Sequence, residues 1–259
     1  MGKSIVVCQC GGEIINSERF KLIEEFLSEK SADIVKLSDL CGLSALNDQK
    51  LNAVFQSGNE YLIVGCYPRA MNLLLEKNNI NISQLPVSYV NFVELNNEQI
   101  LQEISTFCQN NNQPATFTEI KTDSEWPAWY PIIDYSRCTS CGQCADFCLF
   151  GVYTKTTGKV TVENPHGCKN NCPACARICP HTAIIFPKYK HGGAIGGSEV
   201  IDEIAEQKRQ AQDIDDILGS DVYTALEQRK VKRQSIIRNE AMNKANEERD
   251  NALKESGIR

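Results

Sequence analysis

The sequence lacks the features that would direct it to a membrane, a secretory route or a dinucleotide. No apolar run approaches the roughly 18 residues that a transmembrane helix needs. The first twelve residues enter a strand-like apolar run without a cleavage-site pattern. No Gly-x-Gly-x-x-Gly motif follows a predicted strand, so neither FAD nor NAD has an evident site. We therefore expect a cytoplasmic protein without a membrane span, FAD or NAD.

Histidine and continuous positive charge are also scarce. The chain has three histidines, none at metal-ligand spacing, and no acidic pair is placed to make them catalytic. The net charge is −6, although residues 131–190 carry three acidic and seven basic side chains. Without a continuous basic stripe or interleaved aromatic residues, this segment is not expected to bind nucleic acid. We interpret its excess of Lys and Arg as compensation for negatively charged groups held by the same segment.

Cysteine, in contrast, is abundant, and eight of the thirteen cysteines form two tight runs. The runs are Cys138-x2-Cys141-x2-Cys144-x3-Cys148 and Cys168-x3-Cys172-x2-Cys175-x3-Cys179-Pro180. This spacing resembles the run of bacterial two-cluster ferredoxins, whose thiolates hold two [4Fe–4S] clusters. Two zinc sites are the main alternative, since C-x2-C pairs also suit tetrahedral zinc. A disulfide framework is disfavoured because a cytosolic setting keeps thiols reduced.

The ferredoxin resemblance also implies how the ligands are shared. In such proteins each cluster takes three cysteines from one run and the last cysteine from the other. Carried over to this chain, Cys138, Cys141, Cys144 and Cys179 would hold one cluster, and Cys148, Cys168, Cys172 and Cys175 the other. We accordingly predict a two-cluster ferredoxin domain over residues 131–190.

The preceding residues 1–112 alternate between strand and helix signals. Predicted strands are Ser4–Val7, Ala32–Leu37, Tyr61–Val64 and Val87–Val93, and predicted helices are Ser17–Glu29, Leu46–Gln56, Arg69–Asn78 and Asn97–Cys108. Alternation at this interval favours βαβ units and an open parallel sheet. The predicted fold class is thus α/β: a doubly wound parallel sheet, then a small α+β ferredoxin-like domain and a C-terminal helical tail. Residues 113–130 are predicted to be a linker.

Four more cysteines follow predicted strands of this first domain. Cys8 and Cys10 follow the first strand, Cys41 the second and Cys66 the third. Because the carboxyl ends of parallel strands meet at one edge of a sheet, these residues should converge there. They would suit a third [4Fe–4S] cluster, with close backbone approach at Gly11 and Gly12 and with Arg69 offsetting negative charge. Spacing alone leaves an alternative open, in which the four are small buried apolar residues.

Two motifs around these cysteines resemble the N-terminal domain of the flavin-binding subunit of heterodisulfide reductase. They are Val7-Cys8-Gln9-Cys10-Gly11-Gly12 and Gly65-Cys66-Tyr67-Pro68-Arg69. The resemblance implies an additional, unconventionally spaced cluster held by Cys8, Cys10, Cys41 and Cys66. Two departures stand out: Tyr67 occupies a position where that family has Ser, and the flavin-binding region is missing. Flavin-based electron bifurcation within this chain is therefore not expected.

The remaining segments are predicted to be a hinge and a tail. Residues 191–197 form a Gly-rich hinge, and residues 198–259 a helical tail with helices over Ser198–Leu218 and from Asp221 to about Leu253. The tail is acidic around Asp213–Asp216 and basic over Arg229–Arg238. It is too polar to form its own core, so we predict that it binds a protein partner. The thirteenth cysteine, Cys108, is predicted to lie in the core of the first domain.

These patterns favour an electron-transfer subunit of a larger anaerobic redox complex, without catalytic residues of its own. Single electrons would pass between cubanes whose potentials the protein sets through burial, N–H···S hydrogen bonds and local charge. Two alternatives remain. The N-terminal cysteines could catalyse thiol–disulfide chemistry, with Cys8 and Cys10 as the redox pair, or the chain could be a non-redox scaffold or assembly factor.

Overall fold

A computed structural model of the chain describes residues 2–10, 17–109, 111, 116–122, 126–206 and 239–256. It divides into two compact units. The first unit comprises Met1–Trp129, Pro187–Gly192 and Gly196–Glu199, and the second comprises Tyr130–Phe186, Gly193–Ile195 and Val200–Arg259. The first unit is therefore built from segments on both sides of the cysteine runs. No helix in the described ranges is long and apolar enough to cross a membrane.

A parallel five-stranded sheet forms the centre of the first unit. Its strands are β1 (Gly2–Cys8), β2 (Asp33–Leu37), β3 (Asn59–Gly65), β4 (Val87–Asn91) and β5 (Thr116–Ile120), in the spatial order β4-β3-β1-β2-β5. Apolar side chains are buried along both central strands, including Ile5–Val7 and Leu62–Val64. Such continuous apolar runs are typical of parallel strands that are covered on both faces. The structure thus confirms the predicted α/β class.

The strand order places a topological switch point beside β1. The chain passes from β1 to β2 on one side and then returns to β3 on the other side of β1. Connections that leave the sheet in opposite directions open a crevice at the carboxyl ends of the two strands, where ligands bind in open α/β sheets. Cys8 ends β1, and Cys66 follows the last residue of β3.

Five helices connect these strands, and one of them differs from its prediction. They are α1 (Ser17–Ser28), α2 (Leu40–Ala45), α3 (Gln49–Val54), α4 (Pro68–Lys77) and α5 (Asn97–Cys108). The helix predicted over Leu46–Gln56 is the shorter α3, and α2 precedes the predicted range as a separate helix. Asp39 and Asp48 each cap the N-terminus of one of them, and Asn47 between them has a φ of 50° that a continuing helix does not allow.

The prediction of a linker over 113–130 is wrong for Thr116–Ile120. This stretch is β5, which pairs in parallel with β2 from Asp33–Thr116 to Leu37–Ile120. Its alternating threonines suit an edge strand, since only Ile120 is buried. The polar composition of this stretch conceals the strand. An edge strand that exposes both faces carries no hydrophobic run.

The second unit holds the two cysteine runs in a frame of short elements. Its strands are β6 (Ile132–Ile133), β7 (Tyr153–Thr156), β8 (Lys159–Val162) and β9 (Ile184–Ile185), and its helices are α6 (Gln143–Phe147) and α7 (Ala174–Arg177). β6 pairs antiparallel with β9, and β7 with β8 through a two-residue turn. Gly158 in that turn has a φ of +81°, which only glycine adopts without strain.

The predicted hinge and tail include the helices α8 (Gly193–Gly196) and α9 (Asn239–Ser256). In α9, Ala245 is fully buried against Ala174 and Ile178 of the second unit, with Met242 and Phe147 beside them. Arg177 Nε also donates to the Glu248 carboxylate at 2.9 and 3.0 Å. The chain's own body thus supplies the apolar surface on which α9 packs. Residues 207–238, with the acidic and basic clusters noted above, lie outside the described residues.

Candidate metal centres

The structure brings Cys138, Cys141, Cys144 and Cys179 to one cavity of the second unit. Three of the four thiols come from the first run and its helix α6, and Cys179 comes from the end of the second run. Ile133, Val160 and Ile184 supply apolar walls. Cys141 is exposed, so this cavity has a ligand candidate at the protein surface.

The other four cysteines of the runs line a second cavity. Cys168, Cys172 and Cys175 belong to the second run, and Cys148 is the last cysteine of the first. Phe147 and Arg249 are also in the lining, and the Arg249 guanidinium lies 5.1 Å from the Phe147 ring centroid. Because Arg249 belongs to α9, the C-terminal helix forms part of this wall. Both cavities have the crosswise composition that the ferredoxin resemblance implies.

Hydrogen-bond donors point at several of these sulfurs. Ser140 N lies 3.4 Å from Cys138 Sγ, and Ala183 N lies 3.3 Å from Cys179 Sγ. The Tyr153 hydroxyl donates to Cys175 Sγ at 3.1 Å. Such donors stabilise negative charge on a sulfur, which is how a protein tunes a thiolate-bound cluster.

Burial governs the acidity of the thiols inside these cavities. Desolvation, followed by the charge of Cys179, raises the pKa of Cys144 to about 12. Desolvation likewise raises the pKa of Cys168, Cys172, Cys175 and Cys179. Neutral thiols are therefore the stable form when no metal is bound. A coordinating metal ion deprotonates a thiol outright, which removes this obstacle.

In the first unit, the four N-terminal cysteines are buried at the carboxyl ends of three neighbouring strands. Cys8, Cys10, Cys41 and Cys66 are between 3% and 7% exposed. Leu40 N at the start of α2 lies 3.4 Å from Cys8 Sγ, which ties the end of β1 to the α2 region. Gly65 has no side chain, and a Cβ there would lie 3.6 Å from Cys8 Cβ and 2.6 Å from Met71 Sδ. Glycine therefore lets the ends of β1 and β3 approach α4.

Electrostatic effects among these four cysteines indicate that they lie near one another. Cys10 has a φ of 56°, a left-handed conformation that is uncommon for a residue with a side chain. Desolvation raises the pKa of Cys8 to about 11 and of Cys66 to about 12. Desolvation raises the pKa of Cys10, and the charges of Cys8 and Cys66 raise it further. For Cys41, desolvation and the charge of Asp39 raise the pKa most, and Cys10 and Cys66 add smaller effects of the same sign. These mutual effects show that the four cysteines lie near one another, and their joint binding of a cluster stays a prediction.

The structure adds two charged residues that the sequence analysis did not assign to this site. Asp39 caps α2 and accepts a hydrogen bond from Cys41 N at 3.1 Å. Lys188 Nζ lies 2.7 Å from Asp39 Oδ2, although the two residues are 149 positions apart. Asp39 carried a local signal, since an Asp before a short apolar run is typical of a helix N-cap. Lys188 carried none, because only folding brings it to the first unit.

The remaining assigned residues have different outcomes. Arg69 is half-buried in the first turn of α4, three residues after Cys66, and its interaction with a cofactor stays a prediction. Gly11 and Gly12 lie outside the described residues. Cys108 is the last residue of α5 and is half-buried, whereas the sequence predicted a core position. Desolvation raises the pKa of its thiol.

Within the described ranges, no three His, Cys, Asp or Glu side chains are arranged to hold a single metal ion. A [4Fe–4S] cluster is a different case, because each thiolate binds its own iron of the cubane. The geometry of the twelve thiols therefore has to be judged against a cluster. Two of the groups of four thiols line cavities with apolar side chains, and a four-thiolate donor set is what such a cluster requires.

Comparison with known proteins supports part of this picture. The family of 4Fe-4S binding domains matches residues 131–152. An uncharacterized ferredoxin of Methanocaldococcus jannaschii is 50% identical over 64 residues, which are 24% of this chain and 44% of the relative. The match thus spans less than half of that relative. No solved structure matches the chain significantly. Together these findings support an iron–sulfur electron-transfer protein with a ferredoxin domain that binds at least one [4Fe–4S] cluster.

Proposed function

We propose that the chain is an electron-transfer subunit with three [4Fe–4S] clusters, two in the ferredoxin domain and one in the N-terminal sheet domain. The observation that supports this most directly is the pair of cavities in the second unit. Each is lined by four cysteines, three from one run and the fourth from the other. Crosswise sharing is the ligand pattern of two-cluster ferredoxins.

The third cluster would be held by Cys8, Cys10, Cys41 and Cys66. Its support is the burial of all four thiols at the switch point of the sheet, together with their mutual electrostatic effects. Backbone N–H groups of Leu40 and Tyr67 donate toward Cys8 and Cys66, respectively. An anionic cluster gains stability from such donors. Four cysteines that served only as small buried apolar side chains would not need them.

The acidity of these thiols argues against the thiol–disulfide alternative. A nucleophilic cysteine needs a lowered pKa, because the thiolate is the reactive species. Desolvation instead raises the pKa of Cys8 to about 11 and that of Cys10 well above its usual value. The residues of the postulated Cys8–Cys10 redox pair are therefore neutral thiols in the absence of metal, and cluster ligation is the use that fits their environment.

In this role the protein would work within a larger redox complex. A bound [4Fe–4S] cluster supplies one-electron transfer without bond making, so the chain needs no catalytic side chain. The exposed Cys141 offers a short path from the first ferredoxin site to a docked partner. Partner binding through residues 198–259 remains part of the proposal, and the exposed Val200 and Ile204 in its described portion support it.

The third cluster can be tested by metal analysis of the full chain purified anaerobically. We expect about twelve iron and twelve sulfide per chain, and about eight of each in a Cys66→Ser variant. Cys108→Ser is the matched control, because it removes the one cysteine outside the three groups of four. It should retain about twelve iron. A wild-type iron content of about eight that does not change in Cys66→Ser would refute the third cluster.

A further inference from the structure

A buried ion pair lies beside the N-terminal cysteines. Lys188 Nζ donates to Asp39 Oδ2 at 2.7 Å, and the two side chains are 4% and 6% exposed. The ammonium also donates to Pro127 O at 2.7 Å. Lysine is almost never buried to this degree without a partner, so the Asp39 carboxylate is what makes the position tolerable.

Asp39 connects this pair directly to the backbone of the site. Its Oδ1 accepts from Cys41 N at 3.1 Å, while Oδ2 faces Lys188. A Cβ on Gly42 would lie 3.3 Å from Oδ2, so the carboxylate is closely enclosed by α2. The ion pair therefore has a defined position relative to Cys41, and a change in either charge acts at short range.

Both charges act on the cysteines, with opposite signs. The Asp39 carboxylate raises the pKa of Cys8, Cys10, Cys41 and Cys66, in each case after the larger effect of desolvation. The Lys188 ammonium lowers the pKa of Cys8, Cys10 and Cys41. The carboxylate alone would thus oppose negative charge at the site, and the ammonium offsets it.

We propose that Lys188 is the charge-balancing residue of the N-terminal site, where its ammonium neutralises the Asp39 carboxylate and so raises the reduction potential of the cluster held by Cys8, Cys10, Cys41 and Cys66. This inference rests on the third cluster proposed above. Reduction adds one negative charge to the cluster, so a nearby unpaired carboxylate disfavours it and a paired one does not. In a buried site such charges are weakly screened, so their effect is large.

Lys188 is far from the other residues of the N-terminal site in sequence. It follows β9, the last strand of the ferredoxin unit, and belongs to the Pro187–Gly192 segment that returns to the first unit. Lys188, which takes part in the N-terminal site, therefore comes after both cysteine runs in the sequence. The first 130 residues alone would leave the Asp39 carboxylate buried without its cation.

The test is a redox titration of the full chain, followed by electron paramagnetic resonance, on wild type and four variants. Lys188→Met removes the ammonium, and Lys190→Met is its control, because Lys190 is two residues away and exposed. Asp39→Asn removes the carboxylate and retains an N-cap side chain. The double variant Lys188→Met/Asp39→Asn removes both charges together.

We expect Lys188→Met to lower the ratio of reduced to oxidised N-terminal cluster about tenfold at a given applied potential, which is about 59 mV for one electron. Asp39→Asn should shift the ratio in the opposite direction. The double variant should return to within about threefold of wild type, which is about 28 mV. Lys190→Met should leave the ratio unchanged, and the two ferredoxin signals should not move in any variant.

Each other outcome is also informative. If Lys188→Met loses the third cluster and the double variant regains it, the unpaired carboxylate is the defect and the proposal is supported. Loss of the cluster in both, or a Lys188→Met potential equal to that of Lys190→Met, overturns it, since Lys188 then has only a structural role. If the wild-type chain never shows a third signal, the third cluster itself is refuted. If a third signal is present but does not shift in Lys188→Met, only the proposed role of Lys188 is refuted.

Discussion

Replacing Tyr153 with phenylalanine removes one hydrogen bond to a cysteine sulfur and leaves the ring in place. The Tyr153 hydroxyl lies 3.1 Å from Cys175 Sγ, in the cavity that also contains Cys148, Cys168 and Cys172. Desolvation, followed by the charge of Cys175, raises the pKa of Tyr153 well above its usual value of about 10. The hydroxyl is therefore a neutral donor throughout the physiological pH range, and its effect should not depend on pH there.

The size of the effect follows from the strength of that bond. Hydrogen bonds to charged groups contribute about 1.5–3 kcal/mol, and only the difference between the two oxidation states alters the potential. If that difference is about 1 kcal/mol, removal of the hydroxyl lowers the potential of this cluster by about 40 mV. The sign is negative because the donor stabilises the reduced, more negative cluster more strongly than the oxidised one.

A redox titration of Tyr153→Phe with detection by electron paramagnetic resonance measures this shift. Tyr135→Phe is the matched control in the same unit, because its hydroxyl donates to Val160 O at 3.0 Å and not to a sulfur. The control should leave the potential of this cluster unchanged. A potential that rises in Tyr153→Phe, or an equal shift of both ferredoxin clusters, would show that the hydroxyl does not act through Cys175.

Two further predictions concern stability. Ala245→Asp buries a carboxylate between α9 and Ala174, so it should weaken the packing of α9 by about 2 kcal/mol or more and accelerate amide hydrogen exchange in α9. The control Asn243→Asp adds the same charge at an exposed position of α9 and should not accelerate exchange. Equal exchange in the two variants would show that α9 does not depend on the contact at Ala245. Asn96→Ala removes the capping box of α5, in which Asn96 and Gln99 form two reciprocal hydrogen bonds of 2.9 Å. We expect the free energy of unfolding to fall by about 1 kcal/mol, measured by urea denaturation followed by circular dichroism. An unchanged midpoint and slope would contradict a stabilising contribution of the cap.

Local patterns were sufficient for most of the sheet and for the cysteine groups. The buried strands β1 and β3 are continuous runs of β-branched and apolar residues, and the helices around them follow a 3.6-residue period, so composition and spacing identify both. The cysteines of the two runs could be grouped because their spacing resembles that of two-cluster ferredoxins, and the resemblance implies the crosswise sharing. For Cys8, Cys10, Cys41 and Cys66, the alternation of strands and helices was needed as well, since parallel strands end at one edge.

Features that depend on distant segments were decided only by the tertiary structure. β5 has no hydrophobic alternation, and it is a strand because β2 offers it unpaired backbone groups. The polar helix α9 acquires its buried face from Ala174 and Ile178, whose positions no pattern within α9 specifies. Lys188 belongs to the N-terminal site because Asp39, 149 residues earlier, is buried there and needs a cation. A buried charge requires its partner in space and sets no constraint on where in the sequence that partner lies.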